Sequence, residues 1–160
     1  MKKVAIIGAG ISGLFIANLF KKNSNYQITI YEKNTSIALE EGYGVQLSVN
    51  SIKLLNEIGF KKLQKNEKFT PKKINFYSSN SLNKICELDI ENFNTEDCKY
   101  TTLKRSTLIS FLKKDLENLI KTGYKISEID QNDKQIKLIF ENNEINVCDY
   151  LIISDGVFSK

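Results

Sequence analysis

Hydrophobic and polar positions in the first 32 residues predict a strand, a helix and a second strand. The short apolar run at 3–7 is typical of a parallel strand that is buried on both faces. Residues 14–20 can direct Leu14, Ala17 and Leu19 towards a sheet. β-branched and aromatic residues at 26–31 predict the second strand, so this part of the chain predicts a βαβ unit.

The middle of the chain predicts elements other than a third parallel strand and a helix that follows it. Residues 41–48 predict an extended, glycine-containing loop. A short helix is expected over 52–58, capped by Asn50 or Ser51 and ended by Gly59. Two β-like stretches, 74–77 and 84–88, flank a turn cluster and predict a hairpin.

The last third predicts one helix and several strands. Leu108, Leu112, Leu116 and Ile120 share a face of an amphipathic helix that Gly123 would stop. Three further stretches, 125–129, 135–140 and 145–147, have Asn- and Asp-containing turns between them and predict a β-meander. A buried strand is expected over 149–154.

Composition and charge are those of an ordinary globular protein. The chain has 160 residues, 41% hydrophobic and 26% charged, which argues against disorder and coiled coil. Its net charge of +4 comes from basic residues spread along the chain in pairs. A nucleic-acid-binding protein would more usually cluster them, so we expect no nucleic-acid partner.

Missing residue types exclude several kinds of site. Since the sequence has no histidine, it cannot build a Ser-His-Asp triad or a His-ligated zinc site. Its three cysteines are far apart and form no C-x-x-C, so we expect no metal and reduced thiols. The uncharged run 4–20 is too short and glycine-rich for a membrane span and lacks a cleavage pattern. These features predict a cytoplasmic protein with no transmembrane segment.

A glycine-rich motif follows the first predicted strand. Gly8, Gly10 and Gly13 match G-x-G-x-x-G, and Glu32 stands 19 residues after the last of them. Gly8 permits the tight turn, Gly10 lets the backbone approach a pyrophosphate, and Gly13 lets the helix lie close to the sheet. The N–H groups of Ile11–Gly13, including Ser12, would point at phosphate oxygens.

Glu32 at the end of the second strand can accept hydrogen bonds from ribose hydroxyls. Because its carboxylate would repel a 2′-phosphate, the ligand should carry an unphosphorylated adenosine diphosphate, as NAD and FAD do. The alternative is a glycine-rich turn without a ligand, but strand, helix and acid together favour dinucleotide binding.

Two further positions carry candidate chemistry. Arg105, just before the amphipathic helix, can hold a phosphate or a flavin edge with its two-pronged guanidinium. The alternative is a solvated arginine at a helix start, where the helix dipole disfavours it. Asp155-Gly156 follows the last predicted strand and is a candidate binding motif. The alternative is that the pair is an ordinary turn after a strand, without a ligand.

Five segments together carry a resemblance to a known family: Gly8–Leu14, Glu32-Lys33, Gly42–Ser48, Leu103–Leu108 and Cys148–Ser159. Over essentially its whole length the chain resembles the N-terminal part of the flavoprotein aromatic hydroxylases. These are single-component FAD-dependent monooxygenases related to p-hydroxybenzoate hydroxylase, salicylate hydroxylase and the ubiquinone-pathway hydroxylases.

The resemblance implies an α/β fold, a Rossmann-like FAD-binding domain with a β-meander and the beginning of an inserted β-sheet substrate domain. Residues 1–68 and 101–160 would form the FAD/NAD(P)-binding domain, and 69–100 the first part of the inserted sheet. The glycine turn, Glu32 and Lys33 would hold the ADP half of FAD. The other cofactor-binding residues that it implies are Gln46 and Arg105 at the flavin, Ile126 at the adenine, and Asp155 and Gly156 at the pyrophosphate.

The implied reaction is hydroxylation of a small aromatic or quinone-like substrate with NAD(P)H and O2. No side chain of the sequence is a convincing catalytic acid or base. In the family the chain continues past the Asp-Gly motif, whereas this sequence ends four residues after Gly156, so we expect a fragment or a degraded gene product. A non-catalytic nucleotide-binding fragment and another FAD enzyme of the same fold, of the prenyl reductase or halogenase type, are the alternatives.

Overall fold

The computed structural model describes residues 1–37, 43–156 and 159. They divide into two compact units, one formed by 1–40 with 109–160 and the other by 41–108. The domain boundaries expected from the sequence, at 68/69 and 100/101, stay a prediction. Within the described residues no helix is long and apolar enough to cross a membrane.

Three helices and eleven strands are described outside the short 3₁₀ turns. The helices are α1 (Ile11–Lys21), α2 (Val49–Glu57) and α3 (Arg105–Lys113). The strands are β1 (Lys2–Ile7), β2 (Tyr26–Glu32), β3 (Gly44–Leu47), β4 (Lys73–Tyr77), β5 (Lys84–Asp89), β6 (Thr101–Lys104), β7 (Ile120–Thr122), β8 (Ile126–Gln131), β9 (Ile136–Phe140), β10 (Ile145–Cys148) and β11 (Tyr150–Ile153).

A parallel four-stranded sheet with the order β11-β1-β2-β7 is the centre of the first unit. The middle of β1 is buried, as the apolar run predicted. Helix α1 buries Gly13, Leu14 and Ala17. The Asn18 side-chain amide on the same helix donates to the carbonyls of Leu14 and Leu112, at 2.9 and 2.7 Å. The predicted βαβ unit is confirmed.

The predicted end of the amphipathic helix is wrong. Helix α3 ends at Lys113, shortly before Asp115, whose φ of +65° lies in the left-handed region. Leu116 is still fully buried, but Ile120 begins strand β7, where it pairs with Ile30 of β2. The same apolar residues suit a helix face and a short buried strand, and the open edge of β2 supplies the hydrogen-bonding partners for a strand.

An antiparallel sheet with the order β10-β9-β8 confirms the predicted meander. It belongs to the same unit as the parallel sheet and shares a core with it. The buried residues of this core are Ala5, Tyr31, Leu138, Phe140 and Cys148. Because Asp149 alone separates β10 from β11, the meander leads directly into the last parallel strand.

The second unit contains two antiparallel strand pairs and helix α2. Strands β4 and β5 form the predicted hairpin. Residues 44–47, expected in an extended loop, form β3 and pair with β6, a strand more than 50 residues away. Helix α2 starts at Val49 with Ser48 at its N-cap, so the predicted caps, Asn50 or Ser51, lie two or three residues too late. Gly59 follows the helix with a φ of +91°, as expected of a helix stop.

Candidate nucleotide-binding site

The carboxyl ends of β11, β1 and β2 meet at one edge of the parallel sheet. The Gly8 N–H donates to the carbonyl of Tyr31 at 2.8 Å, and the Ser154 N–H donates to the carbonyl of Ile7 at 2.8 Å. The glycine turn follows β1, Glu32 is the last residue of β2, and the Asp-Gly pair comes just after β11. In open α/β sheets this edge is where ligands bind.

Two of the three motif glycines are required by packing within the protein. Gly8 has a φ of +97°, and a Cβ on it would overlap the carbonyl of Ser154 and lie 2.9 Å from its carbon. A Cβ on Gly13 would overlap the carbonyl oxygen of Gly8 and lie 2.7 Å from Oγ of Ser154. The helix therefore starts in direct contact with the turn, and neither position has room for a side chain.

The middle glycine is different. Gly10 caps α1 with a φ of −81°, which any residue adopts, and a Cβ on it would meet no atom of the described residues within 4 Å. Neither the backbone conformation nor packing among the described residues therefore requires a glycine there. The role inferred for Gly10 from the sequence, close approach of a ligand to the backbone, stays a prediction.

The start of α1 suits an anion. The Leu14 N–H donates to the carbonyl of Gly10 at 3.0 Å, which is the first hydrogen bond of the helix. The N–H groups of Ile11, Ser12 and Gly13 precede it and have no acceptor within the helix. The first turn contains no acidic residue, so the positive end of the helix dipole is not neutralised there. A pyrophosphate fits this donor set.

Glu32 lies beside the glycine turn, although 23 residues separate it from Ala9. One oxygen of its carboxylate, Oε2, accepts from the Ala9 N–H at 2.9 Å, and Oε1 accepts from the Asn34 N–H at 3.0 Å. Since each carboxylate oxygen can accept two hydrogen bonds, both keep capacity for ribose hydroxyls. Lys33 next to it is exposed, and its role stays a prediction.

The Asp-Gly pair also lies at the turn. The Cα of Asp155 is 3.2 Å from the position that a Cβ on Gly8 would take. Asp155 is exposed, and Gly156 has a φ of +92°, so a glycine is favoured at this second position by the backbone alone. The structure thus places Asp155 next to Gly8, across 147 residues of sequence.

Ile126 begins β8 and packs against the shared core of the first unit. Just before it, the Gly123 N–H donates to Asn34 and the Tyr124 N–H donates to Glu32, both to carbonyl oxygens at 2.8 Å. The chain that enters β8 is therefore hydrogen-bonded to the end of β2. This places the backbone near Ile126 close to Glu32, and its contact with adenine stays a prediction.

Gln46 and Arg105 belong to the second unit. Gln46 lies on β3 opposite Thr102, and its Oε1 accepts from the Tyr100 hydroxyl at 2.9 Å. Arg105 is the first residue of α3, and its N–H donates to the carbonyl of Tyr43 at 3.1 Å. Their proposed contacts with flavin stay predictions. Three residues of the segments that carry the resemblance lie outside the described residues: Gly42, Val157 and Phe158.

Sequence reasoning missed Ser154 and the hydrogen bond from Ala9 to Glu32. Ser154 touches the glycine turn from the end of β11, and no local pattern reveals a contact across 146 residues. The small residue directly before Asp155-Gly156 was the available signal. Among the described residues, no group of three or more His, Cys, Asp or Glu side chains could hold a metal ion.

Comparisons with known proteins agree with this geometry. Residues 6–40 match the model of the NAD(P)-binding Rossmann-like domain. The chain is 23% identical over 168 residues to the FAD-dependent monooxygenase dpasE of Apiospora sacchari, covering 99% of this chain and 34% of that protein. It is 27% identical over 170 residues to the FAD-dependent monooxygenase andE of Emericella variicolor, and the match covers 98% of this chain and 34% of that protein.

A solved structure shows the same fold. It is that of a putative FAD containing monooxygenase from Photorhabdus luminescens, with a TM-score of 0.78 and 22% identity, covering 98% of this chain and 40% of that one. The fold is therefore the mixed α/β, Rossmann-like fold of FAD-binding domains. Over nearly its whole length the chain is similar to FAD-dependent monooxygenases, and it spans about a third of the length of the two relatives.

Proposed function

We propose that the first unit binds FAD through its ADP half and that the chain is the cofactor-binding part of an NAD(P)H-dependent monooxygenase. The open space in front of Gly10 carries this proposal, because the part of the chain that the structure describes gives no reason for a glycine there. The N–H groups at the start of α1, which have no acceptor within the helix, and the carboxylate of Glu32 lie beside Gly10.

FAD is favoured over other dinucleotides by two arguments. The carboxylate of Glu32 disfavours the 2′-phosphate of NADP at this site. Both relatives are named FAD-dependent monooxygenases, and each match covers at least 98% of the 160-residue chain. NAD(P)H then acts as the cosubstrate, and the substrate is a small aromatic or quinone-like molecule.

Each residue of the site has a binding role in this proposal. The N–H groups of residues 11–13 bind the pyrophosphate, Glu32 orients the ribose, and Asp155 lies at the turn beside them. Gln46 and Arg105 would contact the flavin half. When bound, FAD supplies the redox chemistry between NAD(P)H and O2, and we assign no catalytic acid or base to this chain.

Flavin binding tests the proposal directly. Purified 160-residue chain is mixed with FAD and passed through a size-exclusion column while absorbance near 450 nm is followed. We expect FAD to elute with the protein, and its fluorescence to change during titration. FAD that elutes only at its own volume, together with a flat titration, would contradict the proposal.

A further inference from the structure

We propose that Ser154 is a positioning residue for the pyrophosphate-binding turn, a role that rests on the proposed function. Ser154 donates two hydrogen bonds to the same carbonyl, that of Ile7. Its N–H and its hydroxyl each lie 2.8 Å from this oxygen. Because Ile7 directly precedes Gly8, these bonds fix the point at which the glycine turn leaves β1.

The same residue contacts both glycines that have no room for a side chain. The carbonyl group of Ser154 would overlap a Cβ on Gly8, and Oγ of Ser154 would be 2.7 Å from a Cβ on Gly13. Oγ is also 3.4 Å from the carbonyl oxygen of Gly8. The Ser154 side chain therefore lies between the end of β1 and the first turn of α1.

Because of this placement, the side chain of residue 154 influences the positions of the N–H groups that would bind the pyrophosphate. Gly13 is one of the three residues whose N–H groups face the proposed pyrophosphate, and Oγ of Ser154 supports it from the side of the sheet. An alanine removes the hydroxyl and leaves the Ile7 carbonyl with the backbone bond alone. A valine replaces the hydroxyl with a methyl group and adds a second methyl group, and added volume at a tightly packed position displaces neighbouring atoms.

The chain offers a matched control. Ser127 on β8 donates its hydroxyl to the carbonyl of Ile139 at 3.0 Å, which is the same kind of bond in the meander. Ser127→Ala removes a serine hydroxyl that bonds a carbonyl but does not touch the glycine turn. Comparison with Ser154→Ala separates positioning of the turn from the general loss of a hydrogen bond.

Calorimetric titration with FAD and thermal unfolding test the proposal. We expect Ser154→Ala to raise the dissociation constant for FAD about 3- to 10-fold, the scale of one hydrogen bond, and Ser154→Val to raise it further. Ser127→Ala should leave the constant unchanged, and thermal unfolding should show that both alanine variants are folded at the temperature of the titration. Equal FAD affinity in Ser154→Ala and the parent chain would overturn the proposal.

A second measurement stands independently of FAD. In ¹⁵N–¹H spectra without ligand, Ser154→Ala should shift the amide signals of Gly8, Gly10 and Gly13, whereas Ser127→Ala should not. Unshifted glycine signals would overturn the positioning role. A parent chain that binds no FAD, but whose glycine signals respond to Ser154→Ala, would refute the proposed function and leave the positioning of the turn intact.

Discussion

The carboxylate of Glu32 accepts a hydrogen bond from the backbone N–H of Ala9 at 2.9 Å, inside the glycine turn. Its other oxygen accepts from the N–H of Asn34 at 3.0 Å. One side chain thus joins the ends of β1 and β2 and faces the proposed ribose position. Glu32 thus holds the turn through a hydrogen bond, and under the proposed function it would also orient the ribose of the ligand.

Glu32→Ala should therefore weaken FAD binding by about 1–3 kcal/mol, the cost of removing a charge-assisted acceptor from its donors. The Ala9 N–H also loses its acceptor, so the free energy of unfolding should fall as well. Calorimetric titration and urea unfolding measure the two effects. Glu128→Ala, at an exposed carboxylate on β8, is the control. An unchanged dissociation constant in Glu32→Ala would count against the ribose assignment.

Gly13→Ala tests the contact between the turn and α1. Its Cβ would overlap the Gly8 carbonyl oxygen, so we expect a loss of about 1–3 kcal/mol or more of folding free energy. Gly44→Ala is the matched control, since the nearest atom to its Cβ would be the Leu103 carbonyl oxygen at 3.8 Å, an ordinary contact. Urea unfolding compares the two variants. Equal stability of Gly13→Ala and the parent chain would refute the close packing.

Asp149 makes stability depend on pH. The Lys3 N–H, at 2.7 Å, and the Lys2 ammonium, at 3.0 Å, hold the pKa of this carboxyl below its usual range. Because the pKa is lower in the folded chain, the stabilisation is present above the unfolded pKa and is lost as the pH falls through the folded pKa. Asp149→Asn should reduce stability at pH 7, and its difference from the parent should shrink towards pH 3.

Urea unfolding at several pH values measures this difference. Asp130→Asn, at an exposed carboxyl group on β8, should show little change across the same range. High salt should reduce the part of the effect that comes from the exposed Lys2 ion pair. A difference between Asp149→Asn and the parent that stays constant from pH 7 to pH 3 would speak against this role of the carboxylate.

The cysteines should differ in reactivity. Cys148 is 5% exposed in the shared core, and burial raises the pKa of its thiol, so little thiolate is present at neutral pH. Cys86 is exposed on β5. Iodoacetamide should label Cys86 in the native chain and Cys148 only after urea unfolding, with mass spectrometry locating the label. Rapid native labelling of Cys148 would contradict the packing of β10 onto the parallel sheet.

Local sequence patterns predicted the βαβ unit, the hairpin and the meander because their periodicity and turn residues lie within short stretches. They missed the pairing of β3 with β6 and the position of β7. In both cases the deciding partner strand lies far away in sequence, so that tertiary hydrogen bonding overrides the local pattern. The stretch after α3 could be interpreted in two ways from the sequence, since Leu116 and Ile120 suit a helix face and a buried strand equally.

At the site, the spacing of the glycines and Glu32 was enough to place them on one sheet edge. The sequence did not separate the roles of the glycines, because only the fold shows that a Cβ on Gly8 or Gly13 would meet protein atoms, whereas one on Gly10 would meet none of the described residues within 4 Å. Ser154 gave only a weak signal in the sequence, as a small residue directly before Asp155-Gly156. Its importance comes from contacts with Ile7, Gly8 and Gly13, which belong to the opposite end of the chain.

Gly10→Val tests the central claim most directly. Since a Cβ at this position would meet no atom of the described residues within 4 Å, the variant should fold with nearly the melting temperature of the parent. Its side chain would occupy the space proposed for the pyrophosphate, so we expect calorimetric titration to show FAD binding by the parent and none by the variant. Equal FAD affinity of a folded Gly10→Val variant and the parent would show that the glycine turn does not hold the cofactor.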